Sequence, residues 1–375
     1  MIGWCKVATT YRFDFGIGDS PQPGTEYIQI LPDTAYTDEQ GYGFESCERV
    51  SSRDRGEGER LRSAFCIPLD SAFIVKLPNG LYTITVTMGD AIAPTVTSLK
   101  YGVGRMVLNK IVTSAGQYAV HSFTVKVTDG KLRLAFSGVA PRINALDIVE
   151  AKQATTIFLA GDSTVTDQDV FPYAGWGQML PLYFKTDVAI DNHAKSGRSS
   201  KSFISEGRLK PILDEIKSGD YLWIQFGHND EKQDEERATE PFGSYKEKLA
   251  IYVEEARARG AIPVLITPMH RRKFDSQGRI IDTHGDYLLG MKELASELDV
   301  PLIDLAAKSK TLYEGLGDEP SKALFMWAYP GEFIHFPDGA QDDTHFQELG
   351  AIRVAGLVVE GVRELGLAPL NLYLR

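Results

Sequence analysis

Four short strings from residue 161 onward in this 375-residue chain carry side chains that together can perform acyl transfer. They are Gly161-Asp162-Ser163-Thr164, Ala194-Lys195-Ser196-Gly197-Arg198-Ser199-Ser200, Phe226-Gly227-His228-Asn229-Asp230 and Asp342-Asp343-Thr344-His345-Phe346. A serine hydroxyl is a poor nucleophile at neutral pH and needs a general base within hydrogen-bond reach, with donors for the oxyanion that forms. His345 is the candidate base for Ser163. Asp342, three residues ahead, can hold the imidazole through Nδ1–H and leave Nε2 to take the serine proton, with Asp343 as the competing orienter. Gly197 leaves room for a backbone N–H to approach a ligand closely, and the Asn229 amide can donate to an oxyanion. Singly, each string has a plainer reading: Ser or Thr after a strand caps a helix, a glycine fills a turn, an asparagine stabilises a loop. Asp-x-x-His also suits half of a metal pair, but no second His or Cys lies near in sequence to complete one, so neither metal nor cofactor is expected.

The elements that must bring these strings together are written in the apolar pattern. Residues 156–160, 222–226 and 262–267 are short continuous apolar runs, which read as strands of a parallel sheet buried on both faces. The first and third strings directly follow such runs, at the strand ends where active sites of open parallel sheets gather. Residues 245–259 place Leu249, Tyr252 and Val253 at helical spacing, and a further helix is expected over residues 347–365. The charge-rich run 230–237 reads as a solvated loop without chemistry. Before residue 150 the rhythm differs. Alternating runs at 72–77, 82–87, 122–127 and 131–136, cut by Gly, Pro, Asp and Asn, predict an antiparallel sandwich, with Asp129-Gly130 marking a hairpin between the last two. The expected division is an all-β domain over residues 1–150 and an α/β domain over 151–375, joined by a short polar linker.

Composition narrows the partners. With 43% hydrophobic and 24% charged residues the chain is ordinarily globular, and a net charge of −11 disfavours a phosphate backbone or an anionic membrane surface. No nucleic acid and no membrane partner are expected, and the oligomeric state is left open. No run approaches eighteen consecutive apolar residues. Residues 1–16 lack the apolar core of a secretory signal, and Cys5, Cys47 and Cys66 lack metal-ligand spacing and read as reduced thiols. The expectation is a cytoplasmic protein, although a mature secreted form would read the same way.

In this order, Ser163, Gly197, Asn229 and Asp342-x-x-His345 resemble the SGNH hydrolase superfamily, the GDSL esterases, with G-D-S-T in place of the usual G-D-S-L. The strings Ser196–Ser202, Glu206-Gly-Arg208, Gly219-Asp220, Phe226–Asp230 and Asp282-Thr-His-Gly-Asp286 look like the rhamnogalacturonan acetylesterase branch. The resemblance implies a three-layer α/β/α, flavodoxin-like domain with a five-stranded parallel sheet. It also implies catalysis by Ser163, His345 and Asp342, and an oxyanion hole of the Ser163 and Gly197 N–H groups and Asn229. The implied substrate is an acetylated pectic oligo- or polysaccharide, with Arg198, His228 and His284 as substrate contacts. Arg198 suits a uronate carboxylate and equally a structural ion pair. His193 and His270 are further candidates for the border of the site. The N-terminal half loosely resembles galactose-binding-like β-sandwiches, where Tyr36, Tyr42 and Phe44 either stack on sugars or fill the core. Competing readings are a GDSL lipase or thioesterase, an acetylxylan-type esterase, and a carbohydrate-binding protein without activity.

Overall fold

Alternation of side chains builds the N-terminal sheets. In the strand Gly80–Gly89, Tyr82, Ile84, Val86 and Met88 are buried while the threonines between them are half-exposed, because successive strand residues face opposite sides. The computed structural model describes residues 10–18, 26–56 and 58–375, so Cys5 and most of the N-terminal stretch read for a signal lie outside the described residues. One five-stranded sheet has the order Tyr118–Val127, Gly80–Gly89, Ala145–Glu150, Thr10–Phe15, Ile28–Ile30, antiparallel except for the last pair. A second, antiparallel throughout, runs Tyr42–Phe44, Ala72–Lys76, Lys131–Ser137, Thr95–Tyr101, Arg105–Thr113.

Residues from both sheets share one apolar cluster. Within it Phe15 and Phe44 set their rings edge-on against Phe73, at 4.9 and 5.4 Å. Phe44 is therefore core, and Tyr42 packs on Phe13. Tyr36 lies under Lys131 and donates to Asp38. Among the described residues Cys47 and Cys66 are free, and burial pushes the Cys66 thiol up to about 12.

Asp129-Gly130 does not form the expected hairpin. The strand before it pairs with Gly80–Gly89, whereas the strand after it pairs with Ala72–Lys76 and Thr95–Tyr101 in the other sheet. Gly130, at φ +78°, swings the chain between sheets while the Asn79 side chain accepts its N–H. An Asp-Gly turn specifies a change of direction; which strand becomes the partner is decided by the face each apolar set must cover.

From Thr155 the strands become continuously apolar. Strands β1 (Thr155–Gly161), β2 (Val188–Asn192), β3 (Tyr221–Gln225), β4 (Ile262–Ile266) and β5 (Leu302–Ile303) form a sheet of order β2-β1-β3-β4-β5, with parallel register from β1 through β5. Every residue of β3 is buried. Helices flank the sheet: Ser244–Ala258 buries Tyr245, Leu249, Tyr252, Val253 and Ala256, in a cluster with Phe203, Leu222 and Phe226. This is the α/β layout expected of the C-terminal half.

A small sheet of order Tyr173–Ala174, Ala340–Gln347, Phe325–Ala328 was not foreseen. It carries the Asp342-x-x-His345 string, and the expected helix follows as Glu348–Glu364. The chain divides into two compact units, one reaching Ala154 with Phe184–Ala189 and Arg375, the other comprising Thr155–Tyr183 and Ile190–Leu374. Among the described residues no helix is long and apolar enough to cross a membrane.

Candidate active site

β1 ends at a crowded glycine. A Cβ on Gly161 would lie 2.6 Å from the Val165 side chain and 3.0 Å from the Gln225 carbonyl. The residue that caps the following turn is Asp162, whose Oδ1 accepts the Thr164 N–H at 2.9 Å and its hydroxyl at 2.8 Å. Ser163 is thereby relieved of the capping role its type suggests. Its hydroxyl lies 2.7 Å from His345 Nε2, and His345 Nδ1 lies 2.7 Å from Asp342 Oδ2.

With Nδ1–H directed at the carboxylate, Nε2 is the nitrogen that accepts from Ser163. The other Asp342 oxygen accepts the N–H groups of Thr344 and His345 at 2.7 and 3.0 Å. Burial works to raise the pKa of Asp342. The bond and charge of His345 and the two N–H donors outweigh it and hold the carboxyl well below the usual range. Asp343, the competing orienter, faces elsewhere and accepts from Arg272 Nε at 2.7 Å and Trp327 Nε1 at 2.8 Å.

A tyrosine that no motif announced joins this line. Tyr173 donates its hydroxyl to Asp342 Oδ2 at 3.1 Å, and its ring centre lies 5.4 Å from that of His345. Tyr173 reaches them because Tyr173–Ala174 pairs with Gln347 and Phe346 across the small sheet. Burial and the Asp342 charge raise its own pKa, so the hydroxyl keeps its proton and acts as a donor.

The second and third strings meet at the same strand ends. Gly197 has φ +80°, which favours glycine, and open space where a Cβ would be. Gly227, at φ +150°, could not carry a Cβ without meeting Pro268 at 2.6 Å. Asn229 Nδ2 spends one hydrogen on the Arg198 carbonyl at 3.2 Å, which ties the two loops and leaves its second hydrogen. Among the described residues no acceptor takes the N–H of Ser163 or of Gly197. The loops bearing and flanking Ser163 thus hold three unspent donors, the kind of group that stabilises a developing oxyanion.

Beneath them lies a buried polar frame. His228 Nδ1 donates to Asp162 Oδ2 at 3.2 Å. Burial pushes His228 down to about 4 against the pull of Asp162, so the ring is neutral. Asp230 accepts the Ser200 N–H at 3.1 Å and its hydroxyl at 2.5 Å, and burial still pushes its carboxyl up to about 7. Glu231 pairs with Arg271 and lies 3.4 Å from His284 Nδ1.

These contacts bear on three expectations. The run 230–237 is solvated only over residues 232–236, since Asp230 is fully buried and Glu231 partly so. His228 and His284, offered as sugar contacts, are only 3% and 2% exposed and belong to the frame; His284 Nε2 lies 2.9 Å from the Met269 carbonyl. Arg198 takes the ion-pair alternative, donating from Nε to both Glu206 oxygens at 3.0 and 2.9 Å. His193 pairs with Asp191 at 2.8 Å, and His270 is buried 5.8 Å from the His284 ring. Among the described residues no cluster of His, Cys, Asp or Glu is placed to hold a metal ion.

Comparison with known proteins agrees with the geometry. Residues 159–351 match the model of the GDSL-like lipase/acylhydrolase family, and residues 11–150 match the beta-agarase/YXIM esterase-like, galactose-binding domain-like model. The chain is 51% identical over 225 residues to the rhamnogalacturonan acetylesterase RhgT of Bacillus subtilis, covering 60% of this chain and 95% of that protein. It is 32% identical over 378 residues to the uncharacterized esterase YxiM of Bacillus subtilis, covering 96% and 92%. The crystal structure of the Bacillus subtilis YxiM protein matches at a TM-score of 0.52 and 30% identity, over 96% of this chain and 99% of that one.

Proposed function

The chain belongs to the GDSL-like lipase/acylhydrolase family and is an esterase, and on that premise we propose that it is a carbohydrate O-acetylesterase acting on pectic, rhamnogalacturonan-type saccharides. The observation that carries the reading is the hydrogen-bonded line from Ser163 through His345 to Asp342. The acetyl-saccharide specificity is supported by a relative named a rhamnogalacturonan acetylesterase, 95% of whose length is matched by 60% of this chain.

In this reading Ser163 Oγ attacks the acetyl carbonyl as its proton passes to His345 Nε2. Asp342 holds the imidazole and stabilises the imidazolium that forms. Charge on the carbonyl oxygen is met by the N–H groups of Ser163 and Gly197 and the second hydrogen of Asn229. His345 returns its proton to the departing sugar oxygen, leaving acetyl on Ser163. Water deprotonated by the same imidazole then attacks the acetyl-enzyme, and acetate leaves as Ser163 recovers its proton.

The test is acetate release from acetylated rhamnogalacturonan oligosaccharides, acetylated xylo-oligosaccharides and an octanoyl ester. The parent is expected to favour the first, and Ser163→Ala to lose on the order of 10⁴-fold or more in kcat. Near-parental turnover by Ser163→Ala removes the nucleophile assignment. Preference for the octanoyl ester makes the protein a lipase or thioesterase instead.

A further inference from the structure

Beyond Tyr173 stands a group of aromatic rings for which the chemistry at Ser163 has no use. Tyr173 lies against the imidazole, and Phe336 stacks on Tyr173 with ring centres 6.1 Å apart and planes 15° apart. Phe171 meets Phe333 edge-on at 5.8 Å. Phe333 and Phe336 come from the hairpin joining Phe325–Ala328 to Ala340–Gln347, and Phe171 from the segment just ahead of Tyr173. The group is not sealed into a core: Phe171 is 57% exposed, Ile334 at the hairpin tip is 94% exposed, and Phe333 and Phe336 are partly open. Aromatic rings gathered and left open in this way offer a surface on which a ligand can pack.

Its position says which ligand. To protonate the leaving oxygen, His345 Nε2 must come within hydrogen-bond reach of it. The group that bears this oxygen therefore sits beside the imidazole, whose ring centre is 5.4 Å from that of Tyr173, while the small acetyl occupies the Ser163 oxyanion donors. A pyranose presents an apolar C–H face with hydroxyls at its edge, and an aromatic ring offers the matching flat surface. We propose that Phe171, Phe333 and Phe336, continuing from Tyr173, form a leaving-group subsite that stacks the sugar bearing the ester and the sugar next to it. This rests on the carbohydrate acetylesterase reading above. The neighbouring cavity of about 770 Å³ at the base of the hairpin is the poorer seat for a uronate-bearing chain, because Glu319, Glu332 and Asp338 line it against the single cation Lys322.

Binding energy from parts of a substrate remote from the reacting bond is expressed in kcat/KM for the large substrate. The experiment therefore reads one ratio: kcat/KM for an acetylated rhamnogalacturonan oligosaccharide over kcat/KM for ethyl acetate, whose leaving group is too small to stack. It is measured for the parent, Phe333→Ala, Phe171→Ala and Phe333→Tyr, and the small ester reports whether each variant is folded. The ratio is expected to fall about tenfold in each alanine variant, the size of one lost stacking contact, and to be retained by Phe333→Tyr. A ratio within about twofold of the parent in both alanine variants overturns the subsite, whether the two activities fall together or neither falls. A parent that cleaves ethyl acetate and releases acetate from no acetylated saccharide overturns the carbohydrate reading itself, and this inference with it.

Discussion

Asp342 Oδ2 is shared by two donors, His345 Nδ1 and the Tyr173 hydroxyl. The tyrosine draws part of the carboxylate's charge away from the imidazole, so removing it leaves a stronger anion beside His345 and favours the imidazolium. Activity needs the neutral ring. Tyr173→Phe is accordingly expected to move the acidic limb of the kcat/KM profile to higher pH and to lower the plateau kcat by about three- to tenfold, within the worth of one charge-assisted hydrogen bond. A limb that stays in place would mean that Tyr173 only fills space. Ser163, Gly197, Asn229 and the Asp342–His345 pair were legible in the sequence because acyl transfer restricts residue type and because two of the strings directly follow apolar strands. Tyr173 was not, since its contact depends on pairing between segments 169 residues apart and its neighbours form no motif.

Loops and strands were legible to the extent that their hydrophobic period was. The continuous runs of β1, β3 and β4 and the helical spacing of Ser244–Ala258 announce a buried parallel sheet with a helix against it. The two-residue strand Tyr173–Ala174 is too short to have a period, and Asp129-Gly130 names a turn without naming the sheet it leads to. Charge density misled at Asp230, which looks like the start of a solvated run and is instead the buried post that holds Ser200. An acid whose folded pKa is raised contributes stability in full below its unfolded value, and the contribution is lost as pH climbs through the folded value. For Asp230 that window runs from 3.8 to about 7. His228, depressed to about 4, works in the opposite sense, losing its contribution as pH falls from 6.5. It does so in parent and variant alike and cancels in their difference. Calorimetric melting of Asp230→Asn against the parent should show the variant gaining by several degrees between about pH 5 and about pH 8. A difference flat across that range would mean that Asp230 holds no proton in the folded chain.

At the scale of the molecule the net charge is −11, and it acts on a polyanion before any contact forms. Like charges slow encounter, and salt screens them over roughly 10 Å at about 0.1 M ionic strength. For an acetylated uronate-containing oligosaccharide, kcat/KM should rise about two- to fivefold between about 10 and about 150 mM NaCl, with little change for a neutral acetylated xylo-oligosaccharide. Equal salt responses would mean that the net charge does not govern approach, and a fall with salt for the anionic substrate would mean that local cations such as Lys195 do. An all-β part followed by an α/β part was readable because a period of two and continuous apolar runs are different signals; how the small sheet seats His345 was not, because it depends on strands from three distant places. The separation of 182 positions between Ser163 and His345 also sets an order in time. A chain leaving the ribosome carries its serine long before its histidine, and the hydroxyl has no base until Ala340–Gln347 has been made and docked. In the proposed mechanism the nascent chain is therefore inert while Ser163 waits, and hydrolysis begins only when Ala340–Gln347 is in place.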